Sequence, residues 1–420
     1  MDVQTSLNKL FALNIFGVKL GLDNTINFLE HLGNPQQMLK TFHIAGSNGK
    51  GSTASFISSI LQECNYKTGL YTSPHFVKFN ERIIINGKQI EDKYIAQFVE
   101  EYEDYIYNNK LTFFEVTTAM AFKYFYENKT DYCVIETGLG GRLDATNVLS
   151  PLAVVITSIS FEHTNVLGNT IKEITGEKAA IIKPKAKVFI GKLIDEAENL
   201  IEDKCTEQNT ELYKLNDYIN EHKEYVELYT DEIELDDWTM PLKGRYQKYN
   251  AALAGLAVSK TLFIDDTKKI RAGIKNVISN TGIQGRYEYF HKEPVVIFDS
   301  AHNAEGVSNF LSEFRIEKDK YNKCSLLFGV MKDKSINEML SLLNPVFDNL
   351  YLTNINYERA AKASELLANC KQLGIKAAIV DSAVEFVSNF LSQNKKDCLV
   401  VLGSMYLLGE IKAGLLRNPT

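Results

Sequence analysis

The residues best placed to do chemistry lie in one run, His43-Ile44-Ala45-Gly46-Ser47-Asn48-Gly49-Lys50-Gly51-Ser52-Thr53. A short apolar stretch precedes it, and a pattern with apolar residues three and four apart follows. The glycines therefore fall between a strand and the first turn of a helix, the context of a phosphate loop. Glycine lets a backbone approach phosphate oxygens without a Cβ in the way. Amides around Asn48, Gly49, Lys50 and Gly51 would supply donors at a helix N-terminus, where the dipole also favours an anion. Lys50 would meet the β- and γ-phosphates, and Ser52 or Thr53 offers a hydroxyl to phosphate or metal. The run departs twice from G-x-x-x-x-G-K-[ST]. Ile44 takes the place of the first glycine, and Gly51 intervenes between Lys50 and Ser52. A second motif, Asn128-Lys129-Thr130-Asp131, matches the guanine-reading pattern Asn-Lys-x-Asp. It precedes an apolar strand, whereas base-reading loops follow strands, and no Asp-x-x-Gly metal loop accompanies it. It reads as a turn that ends a helix.

The elements that position these residues follow from periodicity. Phe42–Ala45, Cys133–Thr137, Ala153–Thr157 and Val188–Ile190 read as buried strands of a parallel sheet. Thr53–Glu63, Val116–Glu127 and Ile171–Ile182 read as helices. This alternation predicts an α/β domain with a phosphate loop and a parallel sheet. From Tyr213 to Trp238 polar and apolar residues alternate, predicting small antiparallel strands, and helical patterning resumes over Tyr246–Leu262. A second series of strands is expected at Val295–Phe298, Ser325–Phe328, Leu350–Thr353, Ala377–Val380 and Cys398–Leu402, giving a smaller doubly wound α/β domain. The polar stretch Glu288–Glu293 reads as the boundary, dividing the chain into residues 1–288 and 289–420.

Bulk properties narrow the function classes. The 420 residues carry a net charge of −7, which argues against a broad nucleic-acid face. The six cysteines are scattered without a Cys-x-x-Cys pair, which suits core thiols in a reducing compartment and neither a disulfide framework nor a zinc site. The start, Met-Asp-Val-Gln-Thr-Ser, lacks the layout of a signal peptide. No apolar run approaches the ~18 residues of a membrane span. A cytoplasmic protein without nucleic-acid or membrane partners is expected.

The loop Gly46-Ser-Asn-Gly-Lys-Gly-Ser52 resembles that of folylpolyglutamate synthase and dihydrofolate synthase, relatives of the Mur ligases. Further blocks resemble the same family in the same order: Tyr71-Thr-Ser-Pro-His75, Glu136-Thr-Gly-Leu-Gly-Gly-Arg-Leu-Asp-Ala-Thr-Asn147, Glu162-His163-Thr164, Gly176-Glu-Lys178, Gly244-Arg-Tyr-Gln247-Lys-Tyr-Asn250, Gly285-Arg286, Asp299-Ser-Ala-His302-Asn303, Met331-Lys-Asp333-Lys and Gly403-Ser404-Met-Tyr406. They span nearly the whole chain. The resemblance implies an ATP-dependent carbon–nitrogen ligase. ATP would phosphorylate a folate carboxylate, and the amine of L-glutamate would displace phosphate from the acyl phosphate. Such a site aligns anions, cancels charge and excludes water, and needs no covalent nucleophile.

By the same resemblance, Lys50, His163 and Lys178 belong to the catalytic apparatus, and Ser73, Glu136 and His163 match magnesium ligands. Lys178 resembles a lysine N6-carboxylated by CO2, which requires a pKa lowered from ~10.4. Gly138–Gly141 with Arg142 and Asp144 resembles a flexible loop that contacts the folate. Asn48 to Thr53, Asn250, Arg286, Asp299 and His302 match contacts to ATP. Gln284 and Ser300 depart from the family, which usually has proline and glycine there. ATP, Mg2+ and a monovalent cation such as K+ are the implied cofactors, and the protein is expected to be a monomer. Dihydropteroate as an additional substrate stays open. A Mur ligase acting on a UDP-linked peptide fits the Lys50-Gly51-Ser52 spacing and two-domain length less well. A nucleotide-binding switch differs in requiring no glutamate-dependent phosphate release.

Overall fold

The computed structural model describes residues 2–13, 21–222, 225–236, 238–392 and 396–417. Two compact units form, one of residues 1–241 and 247–283, the other of 242–246 and 284–420.

The first unit is built on an eight-stranded sheet: β1 (Thr41–Ala45), β2 (Thr68–Tyr71), β3 (Ile83–Ile85), β4 (Lys88–Gln89), β5 (Tyr132–Glu136), β6 (Ala153–Ile156), β7 (Lys187–Ile190) and β8 (Leu212–Lys214). Their order is β4-β3-β2-β5-β1-β6-β7-β8, parallel from β2 to β8, with β3 and β4 antiparallel at one edge. The central strands are apolar and buried, as expected when helices cover both faces of a parallel sheet. Register decides where the chemistry emerges. Ile44 pairs with Glu136, Ala45 with Ile156 and Tyr71 with Ile135. The loops after β1, β2, β5 and β6 therefore leave the sheet along one edge, the carboxyl edge, where ligands bind in such sheets.

Helix α1 (Lys50–Glu63) is buried along most of its length. One reason is Gly273, in the helix Thr267–Lys275, where an added Cβ would lie 2.4 Å from Ile60 Cα. Helix α2 (Phe113–Glu127) starts on a Thr112–Glu115 capping box, and α3 (Ile171–Ala179) starts on a Thr170–Glu173 box. The alternating stretch after Tyr213 forms a three-stranded antiparallel sheet of β9 (Ile219–Glu221), β10 (Val226–Tyr229) and β11 (Glu234–Leu235). Positions 223, 224 and 237 of that stretch, like Met1 of the N-terminal stretch read for a signal peptide, lie outside the described residues. Helix α4 (Arg245–Leu262) follows.

The second unit carries β12 (Glu288–Lys292), β13 (Val295–Asp299), β14 (Cys324–Phe328), β15 (Asn349–Thr353), β16 (Ala378–Val380) and β17 (Cys398–Leu402), in the order β12-β13-β17-β14-β15-β16. Five strands are parallel, and β12 runs antiparallel to β13. The polar stretch expected to be a linker is thus an edge strand, and the sheet is mixed. Polarity there reflects its half-buried edge position. Tyr289 within it and Tyr287 just before it are anchored, since their hydroxyls donate to the buried Glu317 carboxylate at 2.6 Å.

Candidate active site

The phosphate-loop run sits where its pattern placed it, between β1 and α1, and its glycines are required by space. Gly46 has φ 149°, and an added Cβ would lie 2.0 Å from Thr157 Oγ1. Gly49 is the N-cap of α1 with φ 84°, and an added Cβ would lie 2.6 Å from Asn250 Oδ1. Asn250, buried on α4, is fixed by donating from Nδ2 to Gln247 Oε1 (3.1 Å). The fold therefore brings Asn250 against the loop, two hundred positions away in sequence. The loop is also tied to the segment after β6. The Asn48 amide donates to Ser158 Oγ (2.8 Å), and Thr157 Oγ1 donates to the Asn48 carbonyl (2.6 Å). Two hydroxyls in the first turn of α1, Ser52 Oγ and Thr53 Oγ1, are buried without a protein partner. Buried polar groups are normally paired, so two orphans in the first turn of a helix fit a nucleotide's phosphates and their metal.

The cations meet at one carbonyl. Lys50 Nζ donates to the carbonyls of Gly46 (2.7 Å) and Ser47 (3.2 Å). Lys178 Nζ, from α3, donates to the same Gly46 carbonyl (2.9 Å) and to Glu162 Oε1 (2.5 Å). Lys178 is 1% exposed, so it is no solvated helix lysine. Burial pushes its ammonium below the usual lysine range, against the opposing pull of Glu162. Burial alone would raise Glu162, but the Lys178 and Lys50 charges hold it down to about 2. Sequence reasoning assigns Glu162 no role. It stands sixteen residues before Lys178 on another element, and only folding joins them.

Of the three expected metal ligands, two are brought together directly. The Ser73 amide donates to Glu136 Oε2 (3.0 Å), joining the loop after β2 to the end of β5. Glu136 is buried. His163 follows Glu162 on the loop after β6, at φ 45°. Among the described residues no group of three His, Cys, Asp or Glu side chains forms a ready metal cluster. A carboxylate beside a serine is a fitting oxygen set for a hard dication.

The glycine-rich loop after β5, expected to be flexible, is closely fitted. Added Cβ atoms would lie 2.3 Å from Phe114 at Gly138, 2.7 Å from Leu167 at Gly140, and 2.7 Å from the Glu177 carbonyl at Gly141. Asp144, fully buried, spends its carboxylate on the loop itself. Oδ2 accepts from the amides of Gly138 and Leu139 (2.8 Å each), and Oδ1 accepts from the amide (3.0 Å) and hydroxyl (2.5 Å) of Thr146. Burial raises its pKa, opposed by these donors. The Arg142 amide donates to the Glu177 carbonyl, and its Nε to Glu177 Oε1, each at 2.8 Å, with the side chain about half exposed.

In the second unit, Arg286, Asp299 and His302 lie together at the end of β13. Asp299 accepts from the amides of Tyr287 and Ala301 (2.8 Å each), and burial pushes it up to about 6. Arg286 donates to Ser300 Oγ and to the Gly285 carbonyl (3.1 Å). His302 Nδ1 donates to the Ser300 carbonyl (2.9 Å). Both departures from the family acquire contacts. Ser300 holds Arg286, and Gln284 accepts from Lys412.

Two family models match the chain: the Mur ligase middle domain over residues 44–258 and the Mur ligase glutamate ligase domain over residues 285–405. The dihydrofolate synthase/folylpolyglutamate synthase of Bacillus subtilis is 34% identical over 421 residues, covering 95% of this chain and 96% of that protein. Among solved structures, E. coli FolC in complex with DHPP and ADP superposes with a TM-score of 0.88 at 28% identity, covering 100% of this chain and 99% of that one. The bifunctional folylpolyglutamate synthase/dihydrofolate synthase of Yersinia pestis, complexed with AMPPNP and Mn ion, gives 0.86 at 25% identity, covering 99% and 98%.

Proposed function

This chain belongs to the folylpolyglutamate synthase/dihydrofolate synthase family of Mur ligases, and from that premise we propose that it uses ATP to join L-glutamate to a folate carboxylate through an acyl phosphate. The observation that carries this reading is the meeting of Lys50 and Lys178 at the Gly46 carbonyl, with Glu162 alongside. Lys50 Nζ places a positive charge beside the phosphate loop. That charge suits a phosphoryl group in transfer to a second anion.

In this reading Lys50 releases its loop carbonyls to bind the β- and γ-phosphates, the amides of Gly49 and Gly51 with the Ser52 and Thr53 hydroxyls hold the remaining oxygens, and Asn48, tied by its amide to Ser158, shapes the loop around the ATP. Asn250 fixes the loop at Gly49. Ser73, Glu136 and His163 would hold Mg2+, which supplies charge neutralisation at the phosphates, and a monovalent cation such as K+ would assist. Arg286, Asp299 and His302 serve as nucleotide contacts from the second unit. Asp144 acts on the folate through the loop it shapes, with Arg142 on the exposed side.

Lys178 is proposed to become N6-carboxylated. Its burial favours the neutral amine that adds CO2, releasing one proton as the carbamate forms. Two anions, the carbamate and Glu162, would then share one dry site, so the modified form requires the bound dication. The protein is proposed to act as a cytoplasmic monomer on small molecules. Among the described residues no helix is long and apolar enough to cross a membrane, and all six cysteines are free thiols.

A second substrate, dihydropteroate, is favoured by the relatives that carry both activities in their names. Phosphate release measured with tetrahydrofolate or dihydropteroate, each with and without glutamate, tests both readings. Release dependent on folate and glutamate together is expected. Release indifferent to glutamate would mark a nucleotide switch instead.

A further inference from the structure

His43 is a polar residue of the run that the phosphate-loop chemistry does not use. It sits mid-strand on β1, fully buried, paired in register with Ile135 and Val154. An apolar residue would pack there at lower cost, because a buried imidazole needs partners for both nitrogens. His43 has one: Nε2 lies 2.8 Å from Thr146 Oγ1, while Nδ1 is buried without a partner.

The direction of that bond is fixed by its neighbour. The single proton of the Thr146 hydroxyl is donated to Asp144 Oδ1. The hydroxyl can therefore only accept from His43, which must carry its proton on Nε2. Burial keeps the ring neutral, with its pKa lowered to about 3. A directed chain results: His43 Nε2–H to Thr146 Oγ, Thr146 O–H to Asp144 Oδ1, and the Gly138 and Leu139 amides to Asp144 Oδ2. It runs from the strand that launches the phosphate loop to the glycine-rich loop that follows Glu136.

We propose that His43 is a positioning residue for the folate substrate, orienting the Thr146 hydroxyl so that Asp144 holds the Gly138–Gly141 loop in its substrate-binding form. The inference rests on the reading of that loop as a folate contact. It makes no use of His43 as an acid or base.

Steady-state kinetics of H43L, H43Q and T146V, with folate and ATP varied separately, test it. Leucine keeps the volume and removes the donor. H43L should raise the folate KM about tenfold, below the ~10²-fold that a 1 Å misplacement can cost, while the ATP KM moves less than about twofold. Glutamine restores a donor near the position of Nε2, so H43Q should recover most of the loss. T146V breaks the same chain one link on and should match H43L, and the double variant H43L/T146V should be no worse than T146V alone. An unchanged folate KM in both H43L and T146V overturns the proposal. Equal losses toward folate and ATP also overturn it, since they mean that β1 itself has shifted. If H43L fails to fold, T146V and H43Q decide alone: a normal folate KM in T146V overturns it. The failure of the ligase reading is separable, because the unmutated protein would then make no folate–glutamate amide at all.

Discussion

Lys50 and Lys178 arrive from different elements and donate to one carbonyl, that of Gly46, so the residue scale is governed by how this charge is balanced. Lys50 contributes charge and two hydrogen bonds to its own loop, without core packing. Lys50→Ala should therefore lower ligation by about 10²–10³, the loss typical of removing one placed donor, with the melting temperature nearly unchanged. Near-normal turnover would contradict the phosphate-loop role. Glu162 is a stability residue as well. Its folded pKa, about 2, lies below the ordinary 4.5. A carboxylate shifted down contributes stability that is full above about 4.5 and is lost as pH falls toward about 2. In the unmodified, metal-free protein Glu162→Gln leaves the buried Lys178 ammonium without its counter-ion and should cost about 3–5 kcal/mol near neutrality. Urea unfolding from pH 2.5 to 7 should show that the variant loses part of the acid-side slope. An identical slope in both proteins would remove the ion pair from the account. This pairing was not legible in the sequence, where Lys178 beside Glu177 fits a solvated helix face. Lys50, Ser52 and Gly49 were legible, because a glycine-rich turn between strand and helix is a local pattern.

At the scale of elements, the loops after β1, β2, β5 and β6 owe their shared edge to the register of a parallel sheet, and their shapes to close approaches. Gly141 is the clearest instance. Its φ is ordinary, so only space requires glycine there, and an added Cβ would meet the backbone oxygens of Glu177 and Lys178 (2.7 and 3.0 Å) as well as the Ile181 side chain (3.0 Å). Backbone cannot swing aside as a side chain can. Gly141→Ala should push the loop off α3, destabilise the fold by about 1–3 kcal/mol, and weaken folate binding more than ATP binding. Chemical denaturation and a folate titration check both parts, and an unperturbed alanine variant would show that the loop has room to yield. Strand and helix periods made most of these elements legible. The loop's glycines were read as flexibility because a sequence does not distinguish a glycine that frees the backbone from one that admits a neighbour. The same limit explains β12. Its polar residues suggested a linker, whereas antiparallel pairing with β13 and the Tyr289–Glu317 bond make it a strand. The Tyr289–Glu317 bond joins positions far apart, whereas the β12–β13 pairing is a local hairpin.

On the scale of the whole molecule, two compact α/β units share one chain, and the segment of residues 242–246, just before and within the start of α4, is counted with the second unit although it interrupts the first. Glu288–Glu293 therefore does not divide the chain cleanly. The sequence could show where each sheet's strands lie, but not which unit an intervening segment packs on. Two family models match, over residues 44–258 and 285–405, in keeping with one reaction carried by the full chain. The central claim is that ATP activates a folate carboxylate as an acyl phosphate before glutamate attacks. In that sequence of steps a carboxylate oxygen leaves with the phosphate. The direct test supplies folate labelled with 18O in its terminal carboxylate, together with ATP, Mg2+ and glutamate, and measures the mass of the inorganic phosphate released. One 18O atom per phosphate, in step with amide formation, is the predicted result. Unlabelled phosphate alongside normal amide product would contradict the account.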